Sequence, residues 1–236
     1  MSKNLIKRTL TSVILLSFLL IVNFSNHLIF ITVILILGGI ICFEFNNIFT
    51  KLVRTNFLKL NKHTAISKKF NFIFLLLNLL VFFYIFFIFC VISTALHGKS
   101  GNPTFFLYLI SICFFSDIGG YVVGKILGGK KLTKISPNKT ISGTVGSFIF
   151  CILPLIIFNN LNNVNNFEHE FNLKNIFFCI LLSLVSQLGD LFISYLKRKT
   201  KIKDTGKILP GHGGILDRLD GIIFAIPFSY LLLKFI

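Results

Sequence analysis

The sequence predicts an all-α, polytopic integral membrane protein of about seven transmembrane helices with a cytoplasmic N-terminus. Three observations predict it. The 236 residues are 54% hydrophobic with a mean hydropathy of +0.84, outside the range of an ordinary soluble domain. Apolar runs long enough to cross ~30 Å of hydrocarbon recur along the whole length. When those runs are threaded in alternation, all of the 24 cations except Lys99, Lys174 and Lys234 fall on the side of the N-terminus, the asymmetry that orients membrane proteins. The same asymmetry accounts for the formal charge of +16. No basic patch interleaved with exposed aromatics argues for nucleic acid.

The elements follow in order. Lys3, Lys7 and Arg8 precede an apolar run from Thr9 to Phe24. A signal peptide would look similar, but no small-x-small cleavage site follows. A second run, His27 to Phe43, begins after only Ser25-Asn26, so a helical hairpin is expected, with Glu44 at its inner end. Phe49 to Lys69 is polar and basic. Phe70 to Leu96 is a third span, long enough to tilt or to hide a bend. Thr104 to about Val123 is the fourth, and Lys125, Lys130, Lys131, Lys134 and Lys139 follow it. Ser142 to Phe158 is the fifth, Ile176 to Leu196 the sixth, and Gly221 to Ile236 the seventh. Residues 1–115 form an N-terminal set of helices and 116–236 a C-terminal set within one membrane-embedded unit. Cys42, Cys90, Cys113, Cys151 and Cys179 all lie in apolar runs with no CxxC pair, so they read as small buried hydrophobes.

Only eight carboxylates occur, and all five aspartates fall at the inner face. An ionised carboxylate inside a span costs ~2.5–3.5 kcal/mol on insertion scales, so it normally has a partner and a purpose. On a helix, Ser183, Ser186, Gln187, Asp190, Ser194, Lys197 and Arg198 form one polar stripe. Hydrogen bonding between helices is the bland account of it. Its continuation into Lys197-Arg198 favours a site. Asp117 lies near the inner end of the fourth span, where Gly120, Gly124 and Gly128 recur at four-residue spacing, a close-packing seam. Ser136, Lys139 and Thr140 stand before the fifth span and suit a phosphate.

The densest polar stretch runs from Ser194 to Asp220. Lys197, Arg198, Lys201, Lys203 and Lys207 supply positive charge, some of it for topology or the anionic leaflet. Pro210-Gly211-His212-Gly213-Gly214 lets backbone amides approach an anion. Asp217 and Asp220 are three apart and share a face if helical. Mg²⁺ takes one or two carboxylates plus phosphates and waters, and Asp190 with Asp217 can supply them, with Asp117 and Asp220 as further candidates. The histidines are too scattered for zinc.

The segment SYLKRKTKIKDTGKILPGHGGILDR, Ser194 to Arg218, resembles the signature of the phosphatidate cytidylyltransferase (CDP-diacylglycerol synthase) family. Its elements are S-x-hydrophobic-K-R, then K-D-x-G, then P-x-H-G-G-hydrophobic-x-D-R. Ser116 to Tyr121 with Gly124, Ser136 to Thr140, and Gln187 to Leu191 agree as well. The likeness is strong over about Ser116 to Asp220 and only a matter of layout before that. It implies transfer of a cytidylyl group from CTP to phosphatidate at the cytoplasmic side of a bacterial-type inner membrane, releasing pyrophosphate. It also implies Mg²⁺ held by Asp190 and Asp217, with Lys197, Arg198 and His212 in the reaction and His212 positioning phosphate. Ser194, Lys203, Asp204, Gly213, Gly214 and Arg218 join Ser136, Lys139 and Thr140 as substrate contacts. A second cation and a homodimer are compatible with the same reading. Two departures stand out: relatives usually carry glutamate where this chain has Ile193, and glutamate or glutamine where it has Ser142. Rival readings are another CTP-using lipid phosphate enzyme, or a non-catalytic transporter with a phosphate-lined vestibule. Transporter sites sit near the midplane between repeated halves, whereas here the charges gather at one face and no repeat is visible.

Overall fold

The structure, a computed structural model, describes residues 3–57, 64–99, 103–133, 136–137, 139–161, 171–206, 208–209 and 213–234. Among them all regular structure is helical, apart from isolated β-bridges joining Lys131 to Thr140 and Leu209 to Gly213. Long runs of Leu, Ile and Phe adopt this form because hydrocarbon offers no partner for a backbone N–H or C=O. Among the described residues five helical stretches are long and apolar enough to cross a membrane: His27–Leu52, Phe74–His97, Thr104–Leu127, Ile141–Asn160 and Leu173–Lys199.

The expected count of seven is therefore not reached on length. Helix α1, Lys3–Asn23, has its apolar part confined to Leu10–Asn23. At the other end α10, Ile222–Leu232, has 11 residues, about 17 Å at 1.5 Å per residue. Hydropathy counts apolar runs, and it does not see where a helix stops.

The chain forms two compact units. The first comprises Met1–Val91 with Leu196–Leu219. In it α1 turns at Phe24–Asn26 into α2, His27–Phe57, so the expected hairpin forms and α2 runs on through part of the basic segment. Helix α3, Thr64–Phe83, passes into a π-helical segment, Tyr84–Cys90. Wide turns of this kind usually appear as short insertions in α-helices. The core of this unit is built from Phe30, Ile41, Ile48, Ile85 and Phe89. Gly38 makes room in it, because a Cβ there would stand 2.7 Å from the Cys90 sulfur.

The second unit comprises Ile92–Tyr195 with Asp220–Ile236. It holds α4, Val91–Lys99, from its second residue on, and then α5, Thr104–Leu127, α6, Ile141–Phe150, and α7, Leu153–Leu161. Most of α8, Leu173–Lys199, and α10 complete it. The expected fifth span is broken at Cys151-Ile152. Pro154 explains the break, since it has no N–H to donate and its ring crowds the carbonyl four residues back. Helices α5 and α6 meet through small residues. A Cβ on Gly120 would stand 2.6 Å from Ser147 Oγ, one on Gly143 would stand 2.7 Å from the Gly120 carbonyl, and one on Gly146 would stand 2.7 Å from the Gly119 carbonyl. The expected seam thus exists at Gly120 and Gly124, with Gly119 added. Gly128 is not part of it: nothing lies near its missing side chain, and with φ of 60° it ends α5. Tyr108 and Ser116 tie α5 to α8 through Cys179 at 3.2 Å and Ser183 at 2.6 Å.

Two glycines separate packing from helix propensity. Gly146→Ala should destabilise the protein by about 1–3 kcal/mol, because backbone and Val123 leave no room to relax. Gly39→Ala, with nothing within 4 Å, should stabilise α2 by up to about 1 kcal/mol. Thermal unfolding in detergent, followed by a thiol-reactive dye on the buried cysteines, measures both.

Candidate active site

In the second unit a cavity of about 290 Å³ opens between α5, α6 and α8. Asp117, Gly120 and Tyr121 line it from α5, Gln187 and Asp190 from α8, and Ser136, Lys139 and Thr140 from the segment that enters α6. A small hairpin brings that segment in: Leu132 N–H donates to Lys139 O at 2.8 Å, and Ile141 N–H to Lys130 O at 3.0 Å. Thr140 then caps α6, its side-chain oxygen accepting from Gly143 N–H at 3.1 Å, as N-cap threonines do. The close seam of α5 and α6 holds Asp117 and Lys139 against one cavity. Lys139 forms an ion pair with Asp190, each side chain about a quarter exposed. Asp190 also accepts from Ser194 Oγ at 3.3 Å. Gln187 donates to Ser183 at 3.2 Å.

In the first unit the motif segment folds around two carboxylates. Helix α8 ends with Thr200 N–H on Leu196 O, Lys201 N–H on Arg198 O and Ile202 N–H on Lys197 O. This is the Schellman pattern, with Lys201 at φ 56° where glycine is usual. The chain then reverses, and Leu209 and Gly213 exchange both backbone hydrogen bonds at 2.9 and 3.1 Å. Asp217, on the one-turn helix α9, Leu216–Leu219, accepts from Lys197 Nζ at 2.8 Å, Thr205 N–H at 2.8 Å and Gly214 N–H at 3.0 Å, with Thr205 Oγ1 also 3.1 Å away. Burial pushes its carboxyl up. The Lys197 hydrogen bond, the Gly214 and Thr205 N–H groups and the Lys197 charge outweigh that and hold it below the usual range. Gly213 has φ of 88°, and a Cβ there would stand 2.8 Å from Asp217 Oδ2 and 3.1 Å from Asp204 Cβ.

The second carboxylate is Glu44 of α2. It is buried, at 1% exposure, and accepts from Thr205 Oγ1 at 2.7 Å, Ile215 N–H at 3.1 Å and Leu216 N–H at 2.9 Å. Sequence reasoning placed Glu44 at a helix end and gave it no role. The available signal was that it is the single glutamate within an apolar run.

The remaining expected residues divide. Ser136, Lys139, Thr140, Asp117 and Asp190 share the cavity. Lys197, Asp217, Gly213 and Gly214 share the motif fold of the first unit. Arg198, Lys203, Asp204 and Arg218 are exposed. Helix α9 stops at Leu219, so Asp220 lies past it in the second unit, where its Oδ1 accepts from Gly221 N–H at 3.0 Å. The N–H groups of Gly213 and Gly214 are spent on Leu209 O and Asp217. His212, Lys207 and Asn138 lie outside the described residues. Ile193 is fully buried, and Ser142 bonds to the Gly128 carbonyl and to Thr140 Oγ1. Neither departure from the family pattern lines the cavity.

Fold and side chains together define a class: a membrane-type helical protein in which Asp190 and Asp217 are each paired with a lysine and lie beside hydroxyls, the groups that suit phosphates and hard cations. The family model for the cytidylyltransferase family matches residues 48–236, and the chain belongs to that family. Similar curated proteins are named phosphatidate cytidylyltransferase. That of Staphylococcus haemolyticus is 38% identical over 159 residues, 61% of this chain and 58% of its own length. Those of Bacillus subtilis and Helicobacter pylori are 43% and 40% identical over 131 residues, 55% of this chain and 47% of theirs. The matched stretch thus spans about half the length of these relatives.

Because its folded-state carboxyl is depressed, Asp217 contributes stability in full above its unfolded pKa of about 3.9. That contribution disappears as pH falls through the folded value. Asp217→Asn should cost about 3 kcal/mol at neutral pH, the size of breaking a buried pair, and should flatten the loss of stability below about pH 4. Unfolding midpoints of both proteins between neutral pH and pH 3 check this.

Proposed function

We propose that the protein transfers a cytidylyl group from CTP to phosphatidate, giving CDP-diacylglycerol and pyrophosphate. One observation carries the reading: three short stretches that resemble this family, 116–121, 136–140 and 187–191, all contribute to one cavity. They are far apart in sequence and need not have met. Similarity to proteins bearing that name supports the same reading.

The chemistry is an in-line displacement. A phosphatidate oxygen forms a bond to the α-phosphorus of CTP, and the bond from that phosphorus to the bridging oxygen breaks as pyrophosphate leaves. The attacking oxygen is already anionic, so positioning and charge neutralisation matter more than a strong base. Lys139 is assigned to substrate phosphate, with Ser136 and Thr140 beside it. At about 290 Å³ the cavity is at the small end of ligand pockets, ~300–1,000 Å³, which suits phosphates better than a whole nucleotide. Its carboxylates and hydroxyls are hard oxygen donors that fit Mg²⁺, with Asp190 and Asp117 as the groups to hold it. Bound Mg²⁺ would neutralise charge gathering on the phosphates. The assignment of Asp217 as a further ligand rests on the sequence pattern, as do the roles of Lys197, Arg198, His212, Ser194, Lys203, Asp204 and Arg218.

We also assign the site to the cytoplasmic side of a cell membrane. The charge pattern supports it. Basic residues flank the apolar runs of α1 and α2 at both ends, Lys3, Lys7 and Arg8 before and Lys51 and Arg54 after, and positive-inside asymmetry is kept there only if α1 and α2 cross together as a hairpin.

Purified protein in detergent, given phosphatidate, labelled CTP and Mg²⁺, should yield labelled lipid. No product, under conditions where a known enzyme works, would sink the proposal. Lys139→Ala and Asp190→Asn should each lower turnover by about 10²–10³-fold, as expected for loss of one preorganised charged partner of the transition state.

A further inference from the structure

We infer that Glu44 is a positioning residue of the motif fold in the first unit, acting through the motif segment on Asp217. This rests on the proposed activity, but it concerns a residue that lies before the family-matched region, 48–236. Its carboxylate is buried, and a charge so placed survives only if its oxygens are fully engaged. Oε1 takes the Ile215 N–H, and Oε2 takes the Thr205 hydroxyl and the Leu216 N–H. Three successive N–H groups of the motif therefore end on carboxylates, Gly214 on Asp217 and the next two on Glu44.

Thr205 makes the coupling direct. Its N–H and hydroxyl both lie within hydrogen-bond distance of Asp217 Oδ2, and the same hydroxyl is 2.7 Å from Glu44 Oε2. Glu44 thus clamps the segment at Thr205 and the turn at 214–216, the two arms that supply the backbone donors to Asp217. The clamp also accounts for two motif glycines. A Cβ on Gly206 would strike Glu44 Oε1 and come within 3.0 Å of its Cδ, and one on Gly214 would strike Oε2 and the Thr205 hydroxyl. No substitution at either position fits while Glu44 holds its place. Gly214, which reads as part of an anion loop in the sequence, and Gly206 both make room for a carboxylate from α2.

Glu44→Gln keeps the volume and loses the charge and one acceptor, so it separates positioning from packing; Glu44→Ala is the stronger change. Turnover is measured per folded molecule, with the folded fraction taken from the dye melt. Glu44→Gln should lower kcat about tenfold or more while KM for CTP and phosphatidate stays within about threefold, since only the pose of reacting groups is lost. Backbone amide exchange over 205–206 and 213–217 should accelerate at least about tenfold, with α5 and α6 unchanged. A kcat within twofold of wild type, or unchanged exchange over 213–217, would overturn the inference. If wild type makes no labelled lipid, the activity proposal fails instead, and the exchange experiment still decides whether Glu44 clamps the segment. If Glu44→Ala does not fold, Glu44→Gln carries both measurements.

Discussion

A buried carboxylate has to be hydrogen-bonded on every side or it drives the structure apart. The fold of the motif in the first unit follows from that constraint at Glu44. The lone pairs of Glu44 demand donors, and the only groups α2 can recruit without burying another charge are backbone N–H groups and a hydroxyl. Thr205, Ile215 and Leu216 provide them. Once these are fixed, the neighbouring N–H groups at Thr205 and Gly214 have one direction left, and it leads to Asp217. Lys197 then completes Asp217 from the end of α8. The strained αL turn at Lys201 belongs to the same economy. A helix ending there reverses at once, and the ~1–2 kcal/mol cost of αL for a side-chain-bearing residue is offset by the hydrogen bonds the reversal makes available.

In the second unit a different constraint does equivalent work. The cavity exists because α5 and α6 approach backbone to backbone, and they approach because Gly119, Gly120, Gly124, Gly143 and Gly146 present no side chains to each other. Lipid tails are as apolar as leucine, so such close contact supplies attraction that a hydrophobic effect between helices cannot. The cap by Thr140 fixes where α6 begins, and with it the place of Lys139. A residue on a connecting segment thereby gains the precision of one on a helix.

Much of this was legible in the sequence, for a physical reason. In a chain of leucine, isoleucine and phenylalanine a carboxylate is costly, so Asp117 and Asp190 announce themselves by being there at all, and they do line one cavity; Lys139, which lines it with them, is one of many inner-face lysines in the sequence. The small-residue seam was legible from its spacing. The span count was legible only in part, because apolar runs give no account of where a helix stops, as at the short α10. Glu44 was visible as an oddity, but its partners lie about 160 residues on, and no periodicity links positions so far apart. Gly206 and Gly214 meet the same limit: Glu44, a side chain on another helix, stands where their own side chains would be.

The lysines explain how such groups persist in an apolar chain. Each of the aspartates Asp190 and Asp217 carries its own cation, Lys139 and Lys197 respectively. A lone carboxylate within a span costs ~2.5–3.5 kcal/mol on insertion scales, and a pair formed by two partly buried groups avoids most of that penalty. The pairing has a chemical consequence too. On the proposed assignment, a phosphate arriving beside Lys139 would compete with Asp190 for the ammonium, and a divalent cation would compete with the ammonium for the carboxylate. The two arriving together would satisfy both halves of the pair at once, whereas either alone would leave one half unpartnered. A resting ion pair of this kind would therefore favour binding of phosphate and cation as a complex over binding of either component.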